Sequence, residues 1–87
     1  MNFFPMHKIV FTNKSLKDLE NIPPETNLRI AQKLKEYSSN PLNYARKLKD
    51  STIGDYRFRI GDYRVVFDLE KDTIVVLRIG HRKDIYK

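Results

Sequence analysis

From the amino terminus, hydrophobic and polar residues first alternate. Met6 to Phe11 reads as a short strand, with Ile9 and Phe11 turned inward. The apolar spacing then lengthens to three and four. Thr12 or Asn13 suits the cap of a helix from about Lys14 to Asn21, with Leu16 and Leu19 on one face. Pro23-Pro24 ends that helix. Pro24 also fits the first turn of the next one, with Glu25 near its positive end. Leu28, Ala31, Leu34 and Tyr37 follow helical spacing and leave Arg29, Lys33, Lys35 and Glu36 to solvent, until Ser38-Ser39-Asn40-Pro41 closes the helix. So short a link predicts an antiparallel helical hairpin.

Residues 42–54 carry no clear period; Leu48 reads as an apolar anchor within a basic loop of Arg46, Lys47 and Lys49. After Gly54 the period becomes two. Tyr56, Phe58 and Ile60 alternate with Arg57 and Arg59, Gly61-Asp62 makes a tight turn, and Tyr63, Val65, Phe67 and Leu69 alternate with Arg64, Val66 and Asp68. Lys71-Asp72 makes the next turn, and Thr73 to Gly80 forms a last, β-branched strand. The order is β-α-α-β-β-β, an α+β fold whose three-strand meander needs the helical hairpin to cover its apolar face. The other face then displays Arg57, Arg59 and Arg64 on adjacent strands, a group of like charges that invites an anion. Tyr56 and Tyr63 fall on the core side, and Arg78, alternating with Ile74 and Val76, reads as structural or as a partner contact.

Composition narrows the classes. Eighty-seven residues make a single domain, 1–87, in which residues 1–5 form a dispensable extension and Met6 competes with Met1 as the natural start. No cysteine is present, which removes disulfide scaffolds, thiolate metal sites and cysteine nucleophiles. The two histidines lie too far apart to suggest a metal site, and no metal or other cofactor is expected. No apolar run approaches the roughly 20 residues of a membrane span and no secretory leader is legible, so the expected location is the cytoplasm, away from membranes. The formal net charge of +6 raises the prospect of a polyanionic partner, and six of the seven arginines fall after residue 43, so the carboxy-terminal half is where to look.

The segment Tyr56-Arg57-Phe58-Arg59-Ile60-Gly61-Asp62-Tyr63-Arg64-Val65-Val66-Phe67, joined to Leu77-Arg78-Ile79-Gly80-His81-Arg82-Lys83-Asp84-Ile85-Tyr86, closely resembles the RelE/ParE toxin superfamily, and its RelE-like branch best. The resemblance runs from Lys8 to Tyr86 and includes Lys47-Leu48-Lys49. It implies a RelE-like fold, with a twisted, mainly antiparallel sheet and the helical hairpin packed on one face. It also implies a type II toxin, an mRNA interferase that enters the ribosomal A site and cleaves messenger RNA without a metal. The ribose 2′-hydroxyl attacks the adjacent phosphorus, and the ribosome supplies the in-line geometry. Expected partners are a cognate antitoxin, as a possible heterotetramer, and messenger RNA on the ribosome with 16S rRNA contacts.

By the same resemblance, Arg57 and Arg59 match basic residues of the second strand, and Arg64 matches the arginine that grips the phosphate. Arg82 matches a basic residue after the last strand that donates to or stabilises the leaving group, and Tyr86 a near-terminal tyrosine that orients the base. His81 is the one candidate titrating near neutrality. Arg46, Lys47, Lys49 and Lys83 are expected RNA contacts. Some relatives carry lysines where Arg57 and Arg59 stand, and others use Glu or His as the base. A guanidinium hardly ever releases its proton, so the base is His81, or Tyr86, or absent, with catalysis by positioning and charge stabilisation; the last is favoured. Two other functions compete: a ParE-like poison of DNA gyrase, and a non-catalytic module that binds RNA or the ribosome.

Overall fold

The computed structural model describes residues 7–49 and 51–86. The extension at 1–5 and the alternative start at Met6 lie outside them. In chain order the elements are β1 (Lys8–Phe11), α1 (Asn13–Glu20), α2 (Pro24–Tyr37), a short 3-10 turn at Pro41–Asn43, β2 (Ala45–Lys47), β3 (Tyr56–Ile60), β4 (Tyr63–Glu70) and β5 (Thr73–His81). They build an α+β fold on one sheet of order β1-β5-β4-β3-β2, in which β1 runs parallel to β5 and every other pair is antiparallel.

Local chemistry sets the hairpin. The Thr12 hydroxyl accepts from the Ser15 amide and donates to the Leu77 carbonyl, so a single side chain caps α1 and ties it to β5. Ser15 is fully buried, and its small side chain lets α1 approach the sheet closely. At the far end of α1, the Asn27 amide donates to the carbonyls of Leu19 and Ile22 and so joins the two helices. The core lies between hairpin and sheet: Ile22, Ile30 and Leu34 meet Phe58, Ile60, Val65, Phe67, Ile74, Val76 and Ile79.

Several expectations need correction. The core stripe of α2 is Ile30 and Leu34 with Tyr37 packed alongside, whereas Leu28 is 62% exposed and Ala31 is exposed. The stripe begins at Asn27, a polar residue, so counting apolar residues alone rotates the helix. Leu16 and Phe11 are likewise exposed, and Leu19 and Ile9 carry the contacts instead. Residues 45–47 form a strand, β2, in place of the expected irregular loop; Ala45 lies opposite Phe58 and Arg46 opposite Arg57. The opposite face of the sheet has a thinner cover. There the loop before β3 reaches over Val66 and Leu77, and a Cβ at Gly54 would lie 2.6 Å from one and 2.9 Å from the other. Ile85 folds down on Gly80 in the same manner.

Candidate functional site

Alternation in β3 and β4 puts Arg59 directly opposite Arg64, and Arg57 opposite Val66, on the face away from the helices. Arg46 on β2 continues the Arg57 row to the sheet edge. On β5, Gly80 stands opposite Arg64. Because glycine has no side chain, the space above it stays open for the carboxy-terminal turn carrying Arg82 and Tyr86.

Arg64 is 8% exposed, and Nη1 donates to the carbonyls of Gly61 and Tyr63, each at 3.0 Å. Burial pulls its pKa below the ordinary arginine value, and the positive charges of Arg59, Arg57 and Arg82 pull the same way. Tyr86, once ionised, acts in the opposite sense. Arg57, Arg59, Arg82 and Tyr86 thus each lie near enough to Arg64 to act on its charge, which gathers the five around one buried guanidinium. Tyr86 is half exposed, with its ring available to a ligand.

The turn between β3 and β4 organises the group. Gly61 has φ 58°, a left-handed value that favours glycine, and it reverses the chain so that two carbonyls of the turn reach Arg64. The carbonyl of Asp62 accepts from the Arg82 amide at 2.7 Å, and Asp62 Oδ1 stands 3.5 Å from Arg82 Nε.

Other expected site residues lie elsewhere. His81 stands opposite Tyr63, on the helix side of the sheet, with their rings edge to face at 5.6 Å. Its Nδ1 accepts from the Lys83 amide, and alternation directs the ring away from the arginines. Lys47 lies opposite Tyr56, so the pleat turns it to the helix side as well. Lys49 follows β2, and Lys83 sits exposed in the turn after β5 beside Arg82. Arg78 forms a two-point pair with Asp18, Nε to Oδ2 at 2.8 Å and Nη2 to Oδ1 at 3.2 Å. That bonding raises its pKa and fixes it as structural. In the sequence Asp62 reads as a turn residue, or with Asp55 and Asp68 as a surface partner for the strand arginines; its approach to Arg82 instead arises from the register of β4 with β5. No group of three or more His, Cys, Asp or Glu positioned for a metal occurs among the described residues.

A surface that gathers several guanidinium groups can hold an anion. The forked donors of Arg59 and Arg82 suit the oxygens of a phosphodiester, and the phenol of Tyr86 suits stacking on a base.

Comparison with known proteins agrees on the family. The family described as the ParE toxin of the type II toxin–antitoxin system, parDE, matches residues 9–86. Toxin RelG of Mycobacterium tuberculosis is 31% identical over 84 residues, covering 93% of this chain and 97% of its own. Toxin RelE3 of Methanocaldococcus jannaschii is 36% identical over 84 residues, covering 91% and 94%. Among solved structures, a chain of the toxin–antitoxin complex RelBE2 from Mycobacterium tuberculosis superposes with TM-score 0.82 at 26% identity, covering 90% of this chain and 100% of that one. A chain of the RelB–RelE antitoxin–toxin complex from Methanococcus jannaschii gives TM-score 0.70 at 34% identity, covering 88% and 94%.

Proposed function

The chain belongs to the RelE/ParE superfamily of type II toxin–antitoxin toxins, and on that premise we propose that it is a ribosome-dependent, metal-independent endoribonuclease that cuts messenger RNA in the A site. The observation that carries this reading is the convergence of Arg57, Arg59, Arg64, Arg82 and Tyr86 on the face of the sheet away from the helices. In the proposed reaction the 2′-oxygen attacks phosphorus and the bond to the 5′-oxygen breaks. The products are a cyclic 2′,3′-phosphate and a 5′-hydroxyl. Negative charge grows on the phosphoryl oxygens in the transition state, where the fixed cations Arg59 and Arg64 stabilise it more than they stabilise the ground state. Arg82 meets the charge on the departing oxygen, while Tyr86 holds the neighbouring base.

In this scheme the proton of the 2′-hydroxyl passes to solvent, and solvent returns one to the departing 5′-oxygen as it becomes the 5′-hydroxyl. Both histidines are engaged elsewhere, His7 with the Ser38 carbonyl and His81 with Tyr63. The site therefore works by alignment and charge, with the ribosome holding the attacking and leaving oxygens in line. Arg46, Lys49 and Lys83 extend the basic surface for phosphates farther along the strand.

A cognate antitoxin is the proposed protein partner. The solved relatives in complex with RelB support it, and so does an exposed arginine surface that favours an acidic segment folding upon it. The ParE name of the matched family favours a second reading, a poison of DNA gyrase.

The deciding experiment is a translation reaction programmed with one defined messenger, with the wild-type protein or Arg82→Ala. Cuts in the A-site codon that carry a cyclic or 3′-phosphate end, require ribosomes and disappear in the variant are expected. Intact messenger at saturating protein overturns the nuclease reading, and inhibition of gyrase supercoiling then supports the second.

A further inference from the structure

The Gly61-Asp62 turn gives more than a chain reversal. Its carbonyls at Gly61 and Tyr63 receive Arg64 Nη1, and the carbonyl at Asp62 receives the Arg82 amide. The guanidinium of Arg29 on α2 lies close to this turn, such that a Cβ at Gly61 would be 3.2 Å from Nη1. Arg64 and Arg82, which come from different parts of the chain, thus take their positions from the same short piece of backbone.

Asp62 adds a side chain to this arrangement. Its Oδ1 faces Nε of Arg82 at 3.5 Å, and both side chains remain largely open, Arg82 at 55% and Asp62 at 69%. Exposed pairs of this kind contribute little to stability. What the pair does instead is select an orientation. With Nε turned to the carboxylate, the terminal amino groups of Arg82 are the donors left to face a ligand. The carboxylate also offsets part of the repulsion between Arg82 and Arg64.

We infer that Asp62 is a positioning residue of this site, one that orients Arg82 toward the scissile phosphate without touching the substrate itself. The inference rests on the nuclease reading for its catalytic consequence, but the orientation of Arg82 is measurable without any substrate.

The test pairs two readouts on wild type, Asp62→Ala, Asp62→Glu and the double variant Asp62→Ala/Arg82→Ala. The first is 15N relaxation of the Arg82 Nε–H group in the free protein. An ordered Nε in wild type, mobile in Asp62→Ala and restored in Asp62→Glu, is expected; equal mobility in wild type and Asp62→Ala overturns the inference whether or not the protein cuts RNA. The second is single-turnover cleavage on programmed ribosomes. Asp62→Ala is expected to lower the maximal rate about tenfold, with half-saturation unchanged or tighter because a negative charge has left the surface. Removing Arg82 as well should erase the effect of Asp62→Ala. A parallel loss of melting temperature and of rate, with no dependence on Arg82, marks Asp62 as merely structural and overturns the inference. Absence of cleavage by the wild type counts against the nuclease reading alone, and the relaxation result still decides the orientation of Arg82.

Discussion

Arg64 and Arg78 occupy neighbouring strands, and their surroundings are opposites. Around Arg78 a carboxylate arrives from α1, accepts from Nε, Nη2 and the Ile79 amide, and raises the guanidinium pKa. Around Arg64 the bonding partners are backbone carbonyls, the neighbouring charges are positive, and the pKa is lowered. The first arrangement is complete in itself: beyond the end of β1, strand β5 has lost its neighbour, and Asp18 takes the amide that a strand would have taken. No carboxylate pair is formed by Arg64 among the described residues. The fold gives one arginine a carboxylate and leaves the other among cations and carbonyls, the contrast on which the proposed anion site rests.

The largest way to break this contrast is Arg64→Ala. Loss of a group that stabilises transition-state charge is expected to cut the single-turnover rate by about 10²–10³-fold, while the melting temperature falls only modestly, because relief of repulsion from Arg59 offsets part of the lost packing and hydrogen bonds of the buried side chain. A collapsed melting temperature with undiminished cleavage per folded molecule would reverse the assignment.

Asp18→Ala probes the other arginine. It leaves Arg78 and the Ile79 amide without their acceptor, at a cost of about 2 kcal/mol in urea unfolding. Partial exposure of Arg78 keeps the figure below that of a fully buried pair. Cleavage per folded molecule should be unchanged.

A smaller effect sharpens the contrast without RNA. Phosphate at roughly ten times its dissociation constant, compared with chloride at equal ionic strength, is expected to raise the melting temperature by about 8 °C. Arg64→Met should remove that increment and Asp18→Ala should retain it, which differential scanning calorimetry reads directly. The sign of the linkage fits. A cationic group whose folded pKa is lowered burdens the fold while it remains protonated, and relief comes only as pH rises through that pKa, far above neutrality. For Arg78 the raised pKa stabilises the fold at every lower pH and is lost only in the same alkaline range. Neither arginine makes stability depend on pH near neutrality, so the bound anion is the available relief for Arg64.

The smallest expected effect concerns His81. His81→Gln should change the cleavage rate by less than about twofold, since its ring lies on the helix side with Tyr63. The rate should also climb through neutral pH without a plateau at an imidazole pKa. A plateau that disappears in His81→Gln would return the histidine to the mechanism.

Much of this is legible in the sequence because β3 and β4 keep a strict period of two. Alternation alone assigns Arg57, Arg59 and Arg64 to one face and Phe58, Val65 and Phe67 to the other. The same rule, carried one step further, places His81 with Ile79 on the core side, and adjacency to Arg82 in sequence obscures that. The α2 stripe is hidden because Asn27 is a polar residue in a packing position. Its amide closes the end of α1, and no hydrophobicity count includes it. Strand β2 is hidden for a different reason. Ala45-Arg46-Lys47 has no strand pattern of its own and is extended because β3 offers it an edge. The bulge between Val66 and Phe67, which offsets the β4–β5 register, likewise leaves no mark on residue type. Asp62 meets Arg82 only once that register is set.

The parallel pairing of β1 with β5 also governs how the molecule comes into being. Lys8 to Phe11 is made early, yet its partners in the sheet are Thr73 to Val76, so the strand has no sheet neighbour until nearly all the other elements exist. Closing so long a loop is slow compared with forming the α1–α2 hairpin or the β3–β4 turn. Sheet closure is therefore a late event in folding, and Arg82 and Tyr86, which follow β5, join the surface later still. A chain leaving the ribosome thus carries Arg57, Arg59 and Arg64 before it carries the strand and turn that bring Arg82 beside them.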